Sequence, residues 1–359
     1  MKPRKRTCSI EFLVRATAMV VVLVVAPYAP ETTHSAEVEP QVGPLGLPRP
    51  PLGVLTACPT SISVSLDNLI SMKEFGALPD LTSVDVTPSF NCALQYAKAN
   101  GLRAIYFPRG SYFFNTPPQS IDFPITIIGD GKGITGLIRN YAASSASNGL
   151  LTFLSGSSNS SVRDLGIVAD KGTSHGSAIS IVASENTALG YFLFSNLYLS
   201  AWSGGNWDDT VHIDGTARTT STVGSEPIGV RDLDFQNCSV FGAARGAMWL
   251  DGVVGFNFIG GGIIQAGGVD GTSGKVYISP SFNGTSGLPS YYININTTYV
   301  AGILMQASVH GHFSAYFPFP ITTTSYDIDN IVIGHVESGG VGPGVQPNWL
   351  QSKYIDPAQ

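Results

Sequence analysis

Three short apolar segments of this sequence carry histidine, tryptophan and tyrosine at matching positions. The segments are Asp209-Thr210-Val211-His212-Ile213-Asp214, Gly246-Ala247-Met248-Trp249-Leu250-Asp251 and Gly274-Lys275-Val276-Tyr277-Ile278-Ser279. Alternation along a strand puts the aliphatic side chains on one face and His212, Trp249 and Tyr277 on the other. If the segments pair as neighbouring strands, about 4.8 Å apart, these three rings form one outward column. Such a column would bind sugar rings through Trp249 and Tyr277 and place His212 beside them as a candidate catalytic residue.

The same segments place two carboxylates next to this column. Asp214 and Asp251 would lie on neighbouring strands, and carboxylates about 5 Å apart suit the nucleophile and the acid of a glycosidase. Each raises the proton affinity of the other, which can keep one of them protonated. The pair could equally bind Ca²⁺. Both residues precede a glycine, however, and Asp-Gly at a strand end is typical of a turn. The turn interpretation is favoured, with catalysis as the alternative.

A second candidate is the stretch of residues 202–209, Trp-Ser-Gly-Gly-Asn-Trp-Asp-Asp. Its tryptophans and adjacent acids would lie on a loop ahead of the His212 segment. Loops carried by a rigid scaffold often hold functional residues. We therefore consider Trp207 a candidate sugar-binding residue and Asp208 and Asp209 candidate catalytic carboxylates. An equal alternative is that the two acids form a solvated loop edge.

Two basic residues suit a different chemistry, β-elimination from a uronic acid. That reaction uses a base near the α-proton and a cation that neutralises the sugar carboxylate. Arg245, just before the Trp249 segment, and Lys275 could supply the cation and bind the substrate. Either could equally be an ordinary surface residue.

These segments belong to two sequence units that alternate along the chain. The first unit opens at intervals of 27 to 37 residues, at Gly149, Gly176, Asp209, Gly246, Gly274 and Gly302. The second recurs at 162–167, 194–199, 230–235, 253–258 and 328–333, with a weaker copy at 292–295. Constant local pattern at irregular spacing indicates fixed strands with variable loops, which is typical of a solenoid. The sequence predicts an all-β fold, a right-handed parallel β-helix (solenoid) with an N-terminal capping α-helix.

The capping helix is predicted from residues that begin and end helices. Thr87 is a good N-cap and Gly101 follows the last helical residue. Between them, apolar residues at helical spacing form one face: Phe90, Leu94 and Ala97. A helix here would cover the open end of the coil, as the terminal element of a solenoid must.

Two motifs flank this helix, Phe75-Gly76-Ala77 and Ile105-Tyr106-Phe107-Pro108-Arg109-Gly110-Ser111-Tyr112. They resemble the opening of the pectate lyase superfamily, in the branch shared by rhamnogalacturonase- and epimerase-like enzymes and phage tailspike depolymerases. With the repeats, the resemblance covers roughly residues 62–340. It implies a right-handed parallel β-helix that acts on a polysaccharide. The successive motifs of polygalacturonases are not matched: His310-Gly311-His312 has the wrong order and no Arg-x-Lys occurs.

The N-terminal sequence indicates export. Residues 1–36 have a basic start and an apolar run too short to span a membrane, so they are predicted to be a signal peptide. Residues 37–61 form a Pro-rich linker, 62–340 the pectate-lyase-like β-helix domain and 341–359 an extended C-terminal tail. The protein is therefore expected to be secreted, periplasmic or extracellular, with no stable membrane span after signal cleavage.

The cysteines outside the signal segment are Cys58, Cys92 and Cys238. Three buried or free thiols is the favoured interpretation of this odd number. The alternative is a Cys58–Cys92 bridge between the entry strand and the cap helix.

Composition limits the partners. The chain has 359 residues, 41 glycines, 12% charged residues and a net charge of −6, which argues against nucleic acid as a partner.

The predicted function is cleavage of an extracellular or cell-wall polysaccharide by a glycoside hydrolase or polysaccharide lyase mechanism. The alternative is a non-catalytic glycan-binding protein of surface or phage-derived adhesin type. Ca²⁺, which the Asp214–Asp251 pair could bind, is the one cofactor considered, and both a monomer and a homotrimer are compatible with the sequence.

Overall fold

The computed structural model describes the following residues: 58–62, 69–170, 175–184, 188–201, 206–215, 229–264, 275–278, 290–300, 302–305, 308–309, 311–316, 321–323, 331–333, 341–343 and 353–355. Within them the chain forms one α-helix, α1 (Thr87–Asn100), one short 3₁₀ helix (Met72–Phe75) and two parallel β-sheets.

Sheet 1 contains β1 (Leu69–Ser71), β2 (Ala104–Tyr106), β3 (Gly110–Phe114), β4 (Thr126–Ile128), β5 (Thr135–Arg139), β7 (Ser161–Ala169), β9 (Leu189–Ala201), β11 (Val230–Phe241), β13 (Val253–Ile264), β15 (Ser290–Tyr299), β17 (Ser308–Val309), β18 (His312–Tyr316), β20 (Ile331–Ile333) and β22 (Lys353–Ile355). Sheet 2 contains β6 (Gly149–Phe153), β8 (Ser177–Val182), β10 (Asp209–Asp214), β12 (Gly246–Asp251), β14 (Lys275–Ile278), β16 (Gly302–Met305), β19 (Ile321–Thr323) and β21 (Val341–Pro343).

From β6 to β16 the chain alternates between the two sheets, and each strand pairs in parallel with a strand of the neighbouring coil. The first sequence unit forms the strands of sheet 2, and the second unit lies in sheet 1. This arrangement is a right-handed parallel β-helix, so the predicted all-β fold is confirmed. It is also the fold that the resemblance to the pectate lyase superfamily implies.

The core lies between the sheets. Aliphatic side chains that the alternation points inward on β10, β12 and β14 are fully buried: Val211, Ile213, Met248, Leu250, Val276 and Ile278. Phenylalanines stack across coils from sheet 1, as in the pair Phe194–Phe235 with ring centroids 4.6 Å apart. Because every coil buries its inward residues against the next, residues more than thirty positions apart are held in fixed register.

The long strands of sheet 1 bend at residues in the left-handed region. Asp164, Asn196, Asn237 and Gly260 have φ values of 60°, 53°, 52° and 70° at matching places in four coils. Asn196 Nδ2 donates to Asp164 Oδ1 (2.8 Å), and Asn237 Nδ2 donates to Asn196 Oδ1 (3.3 Å). Asparagine, aspartate and glycine tolerate this conformation best, which explains their recurrence in the second unit.

One predicted register differs from the structure. The sequence units aligned Phe194 with Val230, whereas β9 pairs Leu189 with Val230 and Phe194 with Phe235. β9 begins five residues before the predicted repeat, at Leu189, because its first residues also pair with β11.

The cap helix α1 is present, and Gly101 ends it in the left-handed conformation, with φ 66°. Phe90, Leu94 and Ala97 are buried as predicted. The N-cap position is taken by Val86 rather than Thr87, and Val86 makes no side-chain cap bond. The cap comes instead from Asp85, whose Oδ1 accepts from the backbone N–H of Thr87 at 2.9 Å.

Cys58 and Cys92 form a disulfide, with Cα atoms 5.3 Å apart. The favoured prediction of three thiols is therefore wrong, and the bridge that was its alternative links the entry segment to α1. Cys238 is a free, buried cysteine, and burial raises the pKa of its thiol to about 11.

Sheets 1 and 2 extend past residue 340, where the predicted domain ended. β21 pairs with β19 and β22 pairs with β20, both within the predicted C-terminal tail. Residues 1–57, which hold the predicted signal peptide and most of the linker, lie outside the described residues. Among the residues that are described, α1 included, no helix is long and apolar enough to cross a membrane.

Candidate functional site

The predicted aromatic column exists on the outer face of sheet 2. His212 pairs with Trp249, and Trp249 pairs with Tyr277, on successive strands. The His212 and Trp249 ring centroids are 6.3 Å apart and the Trp249 and Tyr277 centroids 5.5 Å apart, with interplanar angles of 28° and 29°. The rings are therefore stacked along the coil axis. Trp249 and Tyr277 are half-buried, so each keeps part of its surface exposed.

Asp209 lies behind the column and holds it in place. Its side chain is fully buried, and Oδ2 contacts His212 Nδ1 at 3.0 Å. Arg245 binds the same carboxylate through Nε, 3.1 Å from Oδ1, and through Nη2, which contacts Oδ2. The Arg245 guanidinium also lies 4.3 Å from the centroid of the Trp249 ring. Four side chains from two coils thus form one connected cluster, which we call the Asp209 cluster: Asp209, His212, Arg245 and Trp249.

The burial of Asp209 excludes the solvated loop edge for this residue, and its contact with His212 determines which ring nitrogen carries the proton. Asp209 is not a solvated loop edge, because it is the first residue of β10 and has no exposed surface. An ionised carboxylate can only accept hydrogen bonds, so Nδ1 of His212 carries the proton. In the neutral imidazole this leaves the Nε2 lone pair free to accept a proton. Arg245 keeps 43% of its side chain exposed.

The structure also brings together the predicted carboxylate pair Asp214 and Asp251. Asp214 and Asp251 are register partners on β10 and β12. Asp251 is 3% exposed and Asp214 is half-buried. Gly252 has φ 60°, as expected for a turn after Asp251. Gly215 has no positive φ; a side chain there would instead collide with the carbonyl oxygen of Gly252. The two glycines therefore serve the turn and a close approach between coils.

Asp208 contacts a different histidine from Asp209. Its Oδ1 contacts His175 Nδ1 at 3.0 Å, and Oδ2 accepts from the backbone N–H of Gly176 at 3.1 Å. The side chain of His175 is 61% exposed, and its φ of 61° lies in the left-handed region. His175 was not among the residues predicted from the sequence. The only signal was a histidine directly before the glycine that opens a strand of sheet 2.

Trp207 is not a surface residue. Its side chain is fully buried and its indole N–H donates to the carbonyl oxygen of Ser200 at 2.6 Å. The predicted role in binding sugar is wrong, since a ligand cannot reach the ring. The guanidinium of Arg139, itself fully buried, lies 4.1 Å from the Trp207 centroid. Burial lowers the pKa of Arg139 to about 10, against the opposing effects of Tyr141 and Asp208.

Two other predicted residues, Lys275 and Trp202, lie partly or wholly outside the described residues. Lys275 begins β14, next to the strand that carries Trp249, and its side chain lies outside the described residues. Trp202 falls in the undescribed segment 202–205. Over the parts of the chain that the structure describes, no group of three or more His, Cys, Asp or Glu side chains could hold a metal ion.

Comparison with known proteins adds only distant likenesses. No protein-family model matches the chain, and no curated protein matches its sequence. Among solved structures, ORF18 of Geobacillus virus E2 is 16% identical with a TM-score of 0.43, over 80% of this chain and 62% of the virus protein. The A-module of the mannuronan C-5 epimerase AlgE6 from Azotobacter vinelandii is 13% identical with a TM-score of 0.31, over 80% and 99% of the two chains. Tailspike protein 3 of bacteriophage CBA120 is 12% identical with a TM-score of 0.30, over 82% and 60%.

The chain thus spans about three fifths of the two phage proteins. These identities and TM-scores carry no functional argument. The fold assignment is made from the strand pairing itself, and the site from the Asp209 cluster.

Proposed function

We propose that this protein binds a polysaccharide along the His212–Trp249–Tyr277 column and cleaves it at uronic acid residues by β-elimination. The observation that carries the proposal is the Asp209 cluster. It holds a histidine whose Nδ1 is bound by Asp209, an exposed guanidinium and a stacked aromatic surface within two coils. A base and a cation are the components that β-elimination from a uronate uses, and the aromatic column would hold the sugar next to them.

Each residue of the site has its own role in the proposed β-elimination. Trp249 and Tyr277 contact successive sugar rings through the parts of their surfaces that stay exposed. Arg245 pairs with the carboxylate of the uronate and lowers the cost of the negative charge that develops next to the α-carbon. Nε2 of His212 takes the α-proton from C5. The C5–H electron pair forms the C4=C5 double bond, and the C4–O bond breaks with its electrons on the leaving oxygen, which then takes up a proton.

Hydrolysis is the second candidate, favoured by the register of Asp214 with Asp251. Neighbouring strands lie about 4.8 Å apart, close to the separation of about 5 Å that retaining glycosidases use. The nearly complete burial of Asp251 and its place before a turn glycine favour a structural role. We therefore assign cleavage to the Asp209 cluster. Binding of Ca²⁺ by Asp214 and Asp251 stays a prediction.

A non-catalytic glycan-binding protein remains the alternative of a different class. It would use the same aromatic column without proton transfer. Export of the protein, predicted from residues 1–36, is part of both proposals because the polymers concerned are extracellular.

The test is a panel of uronic-acid and neutral polysaccharides incubated with the protein lacking residues 1–36. β-Elimination produces an unsaturated product that absorbs in the ultraviolet, whereas hydrolysis produces reducing ends without that absorbance. We expect both signals to rise together on a uronate polymer. Reducing ends without absorbance would indicate hydrolysis, and retained binding without cleavage would indicate the adhesin alternative. Parallel reactions with a chelator test the Ca²⁺ prediction.

Variants separate binding from chemistry. Trp249→Ala should weaken polymer binding, since it removes a large aromatic contact surface from the column. His212→Gln should abolish the absorbance while the polymer still binds. An unchanged cleavage rate in His212→Gln would rule out the proposed base.

A further inference from the structure

His175 is a second histidine whose position is fixed by a carboxylate and whose ring remains open to solvent. Asp208 accepts from Nδ1, so the other ring nitrogen, Nε2, is the atom that can exchange a proton with a ligand. The side chain is 61% exposed, whereas that of His212 is 10% exposed. The Asp208–His175 couple and the Asp209–His212 couple use consecutive aspartates.

The backbone around His175 is held in a conformation that histidine rarely adopts. A φ of 61° is left-handed, a region that few residues other than glycine occupy. The fully buried Arg139 fixes this conformation. Its Nη1 donates to the carbonyl oxygen of His175, and its Nη2 donates to the carbonyl oxygen of Asn206 at 2.7 Å. A buried cation, its stacking partner Trp207 and both oxygens of Asp208 thus hold one exposed histidine in place.

Backbone hydrogen bonds place this histidine at the edge of the Asp209 cluster. The N–H of Asp208 donates to the carbonyl oxygen of Gly176, and the N–H of Arg245 donates to the carbonyl oxygen of Asp208, both at 2.8 Å. Gly176, Asp208 and Arg245 therefore follow one another on three successive coils. Two coil steps amount to about 10 Å, which places His175 and Arg245 within reach of one short stretch of a polymer.

We propose that His175, oriented by Asp208, is the acid that protonates the leaving oxygen during cleavage. This role rests on the proposed β-elimination. His212 removes the C5 proton, the C4–O bond breaks as the C4=C5 bond forms, and Nε2–H of protonated His175 delivers its proton to the departing oxygen. The two histidines then return to their starting states by exchanging one proton each with water. The groups that face His175 are Asp208, at its ring, and Arg139, at its carbonyl oxygen.

The test uses His175→Asn, because asparagine tolerates a positive φ and keeps the backbone conformation available. Two uronate substrates are compared: the natural polymer, and a short uronate oligomer whose leaving group at C4 is 4-nitrophenolate, which departs without protonation. We expect cleavage of the polymer to fall at least 10-fold and cleavage of the nitrophenyl substrate to stay within about 2-fold of wild type, since general acid catalysis contributes about 100-fold or more only where the leaving group needs a proton.

The matched control is His312→Asn, a half-buried histidine of β18 in sheet 1 whose Nδ1 contacts Asn294. It should leave both rates unchanged. Equal losses on both substrates in His175→Asn would show a purely structural role, and no loss on either would exclude any role; each outcome overturns the inference while leaving the lyase proposal intact. Absence of cleavage by the wild-type protein would instead overturn the proposed function and this role with it.

Discussion

The aspartates at the cap of the β-helix differ in their side-chain partners from Asp208 and Asp209 at the start of β10. Near α1, Asp80 accepts from the backbone N–H of Ser111 at 2.8 Å, and Asp85 accepts from the backbone N–H of Thr87 and of Asn115 and from the Thr116 hydroxyl. On sheet 2, the carboxylate partners include imidazole rings and a guanidinium.

This difference separates structural from functional carboxylates. A carboxylate bound by backbone N–H groups fixes the path of the chain, and its oxygens are then not available to a catalytic side chain. A carboxylate bound by an imidazole fixes which ring nitrogen carries the proton and leaves the other nitrogen available for chemistry. Substitution in the cap should therefore lower stability with little effect on activity. Substitution in the Asp209 cluster should lower activity with little effect on stability.

The largest effect is expected from Asp209→Asn. The amide keeps the size of the buried side chain but can present an N–H to His212, which would favour the wrong tautomer of the ring. We expect the cleavage rate to fall by about 100-fold to 10,000-fold, the range attributed to a positioned acid or base. The measurement is the rate of ultraviolet absorbance increase on the uronate polymer.

The melting temperature of Asp209→Asn serves as its control. A modest change in melting temperature with the large loss of rate would sharpen the contrast with the cap. If the rate were unchanged and the melting temperature dropped steeply, Asp209 would belong with the structural aspartates and the comparison would fail.

The next effect is expected from removing the Cys58–Cys92 disulfide, which lies at the cap. A bridge across 34 residues restricts the unfolded chain, and such bridges typically contribute about 2–4 kcal/mol. The double variant Cys58→Ser and Cys92→Ser should unfold at lower denaturant concentration and keep its cleavage rate. Loss of activity without loss of stability would connect the cap directly to the site.

The smallest effect is expected from Asp85→Asn and depends on pH. Burial raises the pKa of Asp85, but hydrogen bonds from Thr116, Thr87 and Asn115 outweigh it and hold the pKa below its ordinary value of 3.8. The stabilisation is therefore present above pH 3.8 and is lost as the pH falls through the lowered value. At neutral pH the variant should be less stable by about 1 kcal/mol, as is typical for loss of a helix N-cap.

Denaturant unfolding of wild type and Asp85→Asn at pH 7 and at pH 3 measures this difference. It should shrink at the lower pH. Asp122→Asn is the matched control in the same region, because the Lys98–Asp122 ion pair is about half exposed and such surface pairs contribute little. A difference that stayed constant with pH would show that the charge of Asp85 does not stabilise the cap.

The cap and the coil were predictable because their signals are local. Gly101, the apolar face of α1 and the recurring strands each follow from residues close together in sequence. The N-cap was misassigned by one position because both Thr87 and Asp85 carry side chains able to cap, and only the fold decides which oxygen reaches a free N–H.

The site was predictable in part. The His212–Trp249–Tyr277 column follows from alternation and from matching the repeats. Trp207 was misplaced because a tryptophan next to two acids looks the same in sequence whether its ring faces solvent or a buried arginine. His175 was missed because its partner, Asp208, lies one coil away.

The repeating strands, the capping helix and the column of rings follow from local sequence, since period-two alternation and turn residues act over a few positions. The tertiary structure alone decided which aspartate is buried, which histidine it holds and that Arg139 and Trp207 belong to the interior. Those outcomes depend on the register between coils, and in a β-helix the register brings together residues separated by loops of variable length, whose length the local pattern does not constrain.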